Sequence, residues 1–171
     1  MKTFTRRALA GLALGFAAWG VQAADALTMH SVVLLQPDAL MKERVTDVDR
    51  FSAYIKALVR EAQMPGPGAA ASGFIVVALR PGAQARFWLD FDSGEAALNP
   101  LVRTALIKQL AHVPALEVQH GPVVFALNVG LWGGKASPRV APSPPEFREA
   151  SRQAGRPLEV GDLVERIWNE Q

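Results

Sequence analysis

Residues 73–91 read GFIVVALRPGAQARFWLDF, a stretch typical of a β-hairpin. Phe74 to Leu79 and Ala85 to Phe91 are rich in the β-branched, aliphatic and aromatic residues that favour strands. Between them, Pro81-Gly82 suits the central positions of a tight turn, because proline presets φ and glycine accepts a positive φ. Apolar and polar residues alternate on the second run, so we expect one apolar face and one mostly polar face with an exposed Trp88 indole.

A helix and another strand are predicted after the hairpin. Asn99-Pro100 is a strong helix start, since asparagine caps the free N–H groups and proline suits the first turn. The run 116–119 also looks extended, and Val123 to Leu131 alternates with a period of two. The expected buried stripe of the helix is Leu101, Ala105, Leu106, Leu110 and Val113.

Before the hairpin, the pattern indicates one strand and one amphipathic helix. Leu27 to Leu35 reads as a strand that ends at Pro37-Asp38. An amphipathic helix follows and begins near Asp47. Its apolar positions are Val48, Phe51, Ile55, Leu58, Val59 and Ala62. The segment from Pro65 to Gly68 ends this helix and forms a hinge.

The C-terminal part changes composition. Residues 134–145 are rich in Pro, Gly, Ser and Ala and predict a solvated linker. Two short helices, Pro145 to Ala154 and Asp162 to Asn169, form a tail (146–171) that either covers the sheet of its own chain or binds a partner. The predicted fold class is therefore α+β, in which residues 24–133 form a small antiparallel sheet (hairpin–helix–strand) packed by helices mainly on one face, followed by the helical tail.

Residues 1–23 have the layout of a secretory signal peptide. Lys2, Arg6 and Arg7 precede an apolar run of about a dozen residues, and Val21-Gln22-Ala23 offers the small residues that a signal peptidase needs. The run is shorter than the roughly 20 residues of a spanning helix. We expect cleavage after Ala23 and export to the periplasm, by the general route or, from the arginine pair, the twin-arginine route.

Charge argues against a nucleic-acid partner. The chain has 18 Lys and Arg and 16 Asp and Glu. The leader holds three of these cations and no acid, so the net charge of the mature chain is −1, which gives no electrostatic attraction to nucleic acid.

No later apolar run approaches spanning length, so no transmembrane segment is expected after cleavage. The oligomeric state is left open.

Motifs for chemistry are sparse. There is no cysteine, which excludes thiolate sites and disulfides. His30, His112 and His120 lack metal-ligand spacing, so no metal and no cofactor is expected, although the two later histidines flank one connection and could approach each other. Residues 90–95 (DFDSGE) hold three carboxylates near a glycine but depart from calcium-loop spacing.

Residues 73–133 resemble the C-terminal domain of TonB-type energy transducers and related periplasmic modules. The shared features are the hairpin, an Asp92-Ser93-Gly94 segment, the Asn-Pro helix start, a Val-Pro pair and Gly121-Pro122-Val123 before an alternating strand. The resemblance implies a small sheet to whose edge a partner's peptide adds. The resemblance does not imply energy transduction. The transducers of the family keep a membrane anchor and a long Pro-rich spacer, whereas the leader of this chain is expected to be cleaved.

Three functions follow as hypotheses. The first is a non-catalytic binding or adaptor module that recognises an envelope protein or peptide through a sheet edge or the tail. The second is a carrier of a small molecule or lipid with an apolar pocket, and the third is a hydrolase with a dispersed site from His30, Asp90, Asp92 and His120. The candidate partner- or ligand-binding residues are Trp88, Phe125, Leu127, Trp132 and Trp168.

Overall fold

A four-stranded sheet organises the chain in the computed structural model, which describes residues 27–62, 68–92 and 98–169. The predicted signal peptide therefore lies outside the described residues. The elements in chain order are β1 (Leu27–Leu34), α1 (Asp38–Arg44), α2 (Val48–Glu61), β2 (Ala71–Arg80), β3 (Gln84–Phe91), α3 (Pro100–Ala111), β4 (Val123–Leu131), α4 (Pro145–Ala154) and α5 (Val160–Asn169).

The sheet is fully antiparallel with the order β1-β4-β2-β3. The last strand in sequence, β4, is therefore an inner strand, and its Leu127 pairs with Val32 of β1 on one side and with Ile75 of β2 on the other. All nine residues of β4 are buried, so this strand is covered on both faces. Together with the helices, the sheet confirms the predicted α+β class.

The hairpin of β2 and β3 confirms the sequence prediction and extends it by a few residues. Phe74 pairs with Asp90 and Leu79 pairs with Ala85 in an unbroken register. Gly82 has φ +87°, the left-handed value that the turn requires and that glycine adopts without a steric penalty.

The first face of the sheet is covered by α2 and α3. Both helices begin as the sequence predicts: the Asp47 carboxylate accepts from the Arg50 amide, and the Asn99 side chain accepts from the Leu101 amide. Leu58 and Leu106 are fully buried in the cluster on this face. The prediction that Leu101 belongs to the buried stripe is wrong: it lies in the first turn of α3 and is 77% exposed.

The second face is covered by α4 and α5. Phe147 of α4 and Val164 of α5 are buried in one cluster with Phe74, Val76 and Trp88 of the hairpin, among others. The helices of residues 24–133 therefore lie on one face, as the sequence predicts, and those of the tail cover the other. Of the two alternatives for the tail, the structure shows that it covers the sheet of its own chain.

The connection between β4 and α4 folds back over the second face. Trp132 (φ +48°) and Gly133 (φ +82°) form a tight turn closed by a hydrogen bond from the Gly134 amide to the Leu131 carbonyl at 2.9 Å. Ser137 is buried, so this segment is not solvated throughout as its composition predicts.

Two further differences concern short segments. Helix α1 has no counterpart among the predicted elements; it follows Pro37, and Asp38 pairs with Lys42 one turn later. The extended run 116–119 does not join the sheet. Within the described ranges, no helix has the length and apolarity needed to cross a membrane.

Candidate functional site

Strand β1 forms an open edge of the sheet. It pairs with β4 on one side, and the described residues place no strand on its other side. Val32 is 36% and Leu34 is 44% exposed, although both are large apolar residues. The edge therefore combines backbone groups available for pairing with exposed apolar side chains.

The register identifies which backbone groups face outward. The Leu35 amide donates to the Val124 carbonyl at 3.2 Å, which makes the position after β1 a hydrogen-bonded one. Hydrogen-bonded and non-hydrogen-bonded positions alternate in an antiparallel pair. The N–H and C=O groups of Val32 and Leu34 consequently point away from β4.

An irregularity limits the usable length of this edge. The register between β1 and β4 shifts between Met29 and Ser31, where His30 is the extra residue of a bulge. The His30 ring lies 3.3 Å (Nε2 to O) from the Gly134 carbonyl. The regular edge is thus the four residues from Ser31 to Leu34.

The opposite edge, β3, is covered in part by a side chain of its own chain. The Asp92 amide donates to the Ser72 carbonyl, so the backbone groups of Asp90 face β2 and those of Leu89 point away from it. Arg103 of α3 donates to the Leu89 carbonyl at 3.3 Å. Because this outward carbonyl already accepts a hydrogen bond, β3 is less suited than β1 to pair with another strand.

A polar cluster at the end of β3 holds the connection that follows β4. The Arg139 guanidinium donates to Asp90 Oδ2 at 2.7 Å and to Asp92 Oδ1 at 2.6 Å. The Ser137 hydroxyl also donates to Asp92, and the Ser143 amide donates to Asp90. Burial disfavours the charged form of Arg139, but hydrogen bonds and attraction to the two carboxylates outweigh it and raise its pKa.

This cluster changes the interpretation of the acidic stretch 90–95. Its first two carboxylates both bind the guanidinium of Arg139, so a cation of the same chain offsets one of their two charges. Residues 93–97 lie outside the described part. Sequence reasoning missed Arg139 because it lies 49 positions from Asp90, in a segment whose composition indicates a linker.

The five candidate binding residues do not form one surface. Phe125 and Leu127 are buried on the first face, whereas Trp88 is buried on the second, only 6% exposed and edge-to-face with Phe147. The expectation of an exposed Trp88 is therefore wrong. Trp132 is partly buried beside the first cluster.

Trp168, the fifth candidate, fixes the tail to the hairpin. The guanidinium carbons of Arg80 and Arg86 each lie 5.0 Å from its ring centroid. Arg80 also pairs with Glu165, and Arg86 donates to the Ile167 carbonyl. These contacts hold the end of α5 against the sheet.

The residues of the hydrolase hypothesis lie apart. His30 is on the β1 edge and Asp90 is on the β3 edge, with β4 and β2 between them, so three strand spacings of about 4.8 Å separate their backbones. His120 precedes β4, at the end opposite to the His30 bulge. Among the described residues, no group of three or more His, Asp or Glu side chains is arranged to hold a metal ion.

Comparisons of the chain with protein-family models, with curated proteins and with solved structures find no significant match. The resemblance of residues 73–133 to the TonB C-terminal domain family therefore stays a prediction.

Proposed function

We propose that the chain is an exported periplasmic binding module, without catalytic activity, that recognises an extended segment of an envelope protein or peptide. The segment adds to β1 as a fifth strand of the sheet. The observation that carries this proposal is the open edge from Ser31 to Leu34, with outward backbone groups at Val32 and Leu34.

The C-terminal tail and the β3 edge already make contacts within the chain, which favours β1 as the element that binds the partner. Trp168 lies against Arg80 and Arg86, and the buried residues of α4 and α5 pack against the sheet of their own chain. On the β3 edge, Arg103 already occupies the outward carbonyl of Leu89. Of the binding modes predicted from sequence, sheet-edge addition therefore has the stronger structural basis.

A proline substitution tests the edge specifically. Val32→Pro removes an outward N–H and leaves the hydrogen bonds to β4 intact, because proline is tolerated where the N–H of an edge strand faces solvent. We expect peptides selected from a random 12-residue display library on the wild-type protein to lose at least tenfold in affinity for Val32→Pro. Fluorescence anisotropy measures the affinity, and circular dichroism checks that the variant is folded.

Val33→Pro is the matched control, because it removes an N–H that points toward β4 instead of away from it. We therefore expect loss of stability rather than selective loss of binding. Unchanged peptide affinity in Val32→Pro, or a selection without enrichment, would contradict the proposal. So would a dimer seen by analytical ultracentrifugation that Val32→Pro abolishes, since the occupant of the edge would then be a second copy.

Export is tested separately. We expect N-terminal sequencing of the protein from the periplasmic fraction of a Gram-negative host to begin at Ala24. Retention of the full chain in the cytoplasm would contradict the predicted localisation without bearing on the β1 edge.

A further inference from the structure

A groove on the second face adjoins the end of β1. It has a volume of about 500 Å3 and is open to solvent. Leu35, the residue directly after β1, belongs to its wall. The rest of the lining comes from the connection after β4, from α4 and from the region of α5, and includes Phe147, Arg148, Ser151, Leu158 and Leu163. We call this the α4–α5 groove.

The floor of the α4–α5 groove is apolar and held in place by packing. Phe147 and Leu163 are 6% and 8% exposed, and Phe147 contacts the Trp88 ring with centroids 5.2 Å apart. A floor fixed in this way can accept a large apolar side chain without rearranging the cluster beneath it.

One charged side chain lines the groove. Arg148 is exposed and donates one hydrogen bond to the Ser143 carbonyl, while a guanidinium has five N–H donors. Asp90 and Asp92, which share a neighbouring pocket with Arg148, both bind Arg139, which offsets one of their two charges. Glu159 is exposed and does not line the groove. Among the described residues no carboxylate pairs with Arg148, so its remaining N–H groups are available to bind an anionic ligand group in the groove.

We propose that the segment that binds β1 carries a large apolar side chain that enters the α4–α5 groove and a neighbouring carboxylate that binds Arg148. This inference rests on the proposed function. Side chains of an added strand alternate between the two faces, so every second one lies on the face of Leu35. The ligand is thus an extended peptide in which an aromatic or aliphatic residue is close to Asp, Glu or the terminal carboxylate.

Charge reversal tests the carboxylate. For an acidic-apolar peptide selected on the full-length protein, we expect Arg148→Glu to weaken binding at least tenfold and replacement of the peptide acid by lysine to restore part of the affinity for that variant. Arg152→Glu is the control, because Arg152 lies one turn later on α4, is exposed and is outside the groove. Equal effects of the two variants would overturn the assignment of Arg148.

Filling the groove tests the apolar residue. Ser151→Phe should weaken binding of the same peptide, and Ser151→Ala should not. If Val32→Pro abolishes binding while Arg148→Glu and Ser151→Phe do not, the edge proposal stands and the groove inference is wrong. If Val32→Pro has no effect, the proposed function itself fails. If no peptide is enriched and sodium laurate binds the wild type but not Ser151→Phe, the ligand of the groove is an amphiphile and the proposal of a peptide ligand is wrong.

Discussion

Arg139 and Asp90 are joined by two hydrogen bonds, from Nη1 to the carboxylate at 2.7 Å and from Nη2 to the backbone carbonyl at 2.8 Å. The Asp90 side chain is 10% exposed and that of Arg139 is 34% exposed. Because the pair is largely withdrawn from water, each partner depends on the other for compensation of its charge.

Arg139→Ala should therefore destabilise the protein. Removal of the guanidinium leaves the Asp90 carboxylate without its main partner, and we expect a loss of about 2–3 kcal/mol in the free energy of unfolding. Urea unfolding followed by circular dichroism measures it. Lys42→Ala, which removes an exposed pair with Asp38, should cost far less, because water already screens that pair. Similar losses in both variants would show that burial of the Arg139 pair is unimportant.

Tyr54 gives a prediction for alkaline pH. Its hydroxyl is buried without a hydrogen-bond partner among the described residues, and burial raises its pKa above the ordinary value of 10.0. The unfolded chain then ionises at lower pH than the folded one, so this contribution to stability is complete below pH 10 and is lost as pH rises above it. Tyr54 is the sole tyrosine, so absorbance at 295 nm follows its ionisation directly.

Tyr54→Phe should remove the loss of stability that ionisation of Tyr54 causes at alkaline pH. At neutral pH we expect the substitution to change the free energy of unfolding by less than about 1 kcal/mol, because no described residue hydrogen-bonds to the hydroxyl. Unfolding curves at pH 8 and pH 11 for both proteins measure the difference. A wild type and variant that lose equal stability between these values would contradict the raised pKa.

Two adjacent glycines should respond differently to alanine. A Cβ at Gly134 would overlap the Ala71 carbonyl oxygen, whereas a Cβ at Gly133 meets nothing within 4 Å. Gly134→Ala should cost more than about 3 kcal/mol because backbone must move. Gly133→Ala should cost about 1–2 kcal/mol from its φ of +82° alone. Thermal unfolding ranks the two variants, and the reverse order would contradict the close approach.

Trp168→Ala should loosen the end of the tail. It removes the ring that lies beside Arg80 and Arg86, and we expect a loss of about 1–2 kcal/mol. Hydrogen exchange should accelerate at the amides of α5 more than at those of α2, which packs on the other face. Uniform acceleration would indicate that α5 does not open independently.

Local signals predict much of the fold. The hairpin and the start of α3 follow from Pro81-Gly82 and Asn99-Pro100, whose turn and cap involve only nearby residues. The edge position of β1 could not be predicted in this way. It depends on β4, which pairs Phe125 with Leu34, a residue 91 positions earlier in the chain.

The error at Trp88 has a physical cause. Arg86 and Asp90 flank it on the same side of β3, and charged residues at that spacing suggest a solvated face. In the structure each has a partner of its own: Arg86 donates to the Ile167 carbonyl, and Asp90 binds Arg139. Both partners come from the C-terminal part of the chain, so the strand alone does not reveal that this face is covered.

The inner position of β4 also sets an order of events during synthesis. β1 is made first, but its pairing partner follows only after the hairpin and α3 have been translated. Until then β1 lacks β4, the strand through which it joins the hairpin, and formation of this long-range pairing is expected to be slow. A nascent chain therefore presents β1 with both edges free, and a holding chaperone that binds extended apolar segments would meet it in that interval.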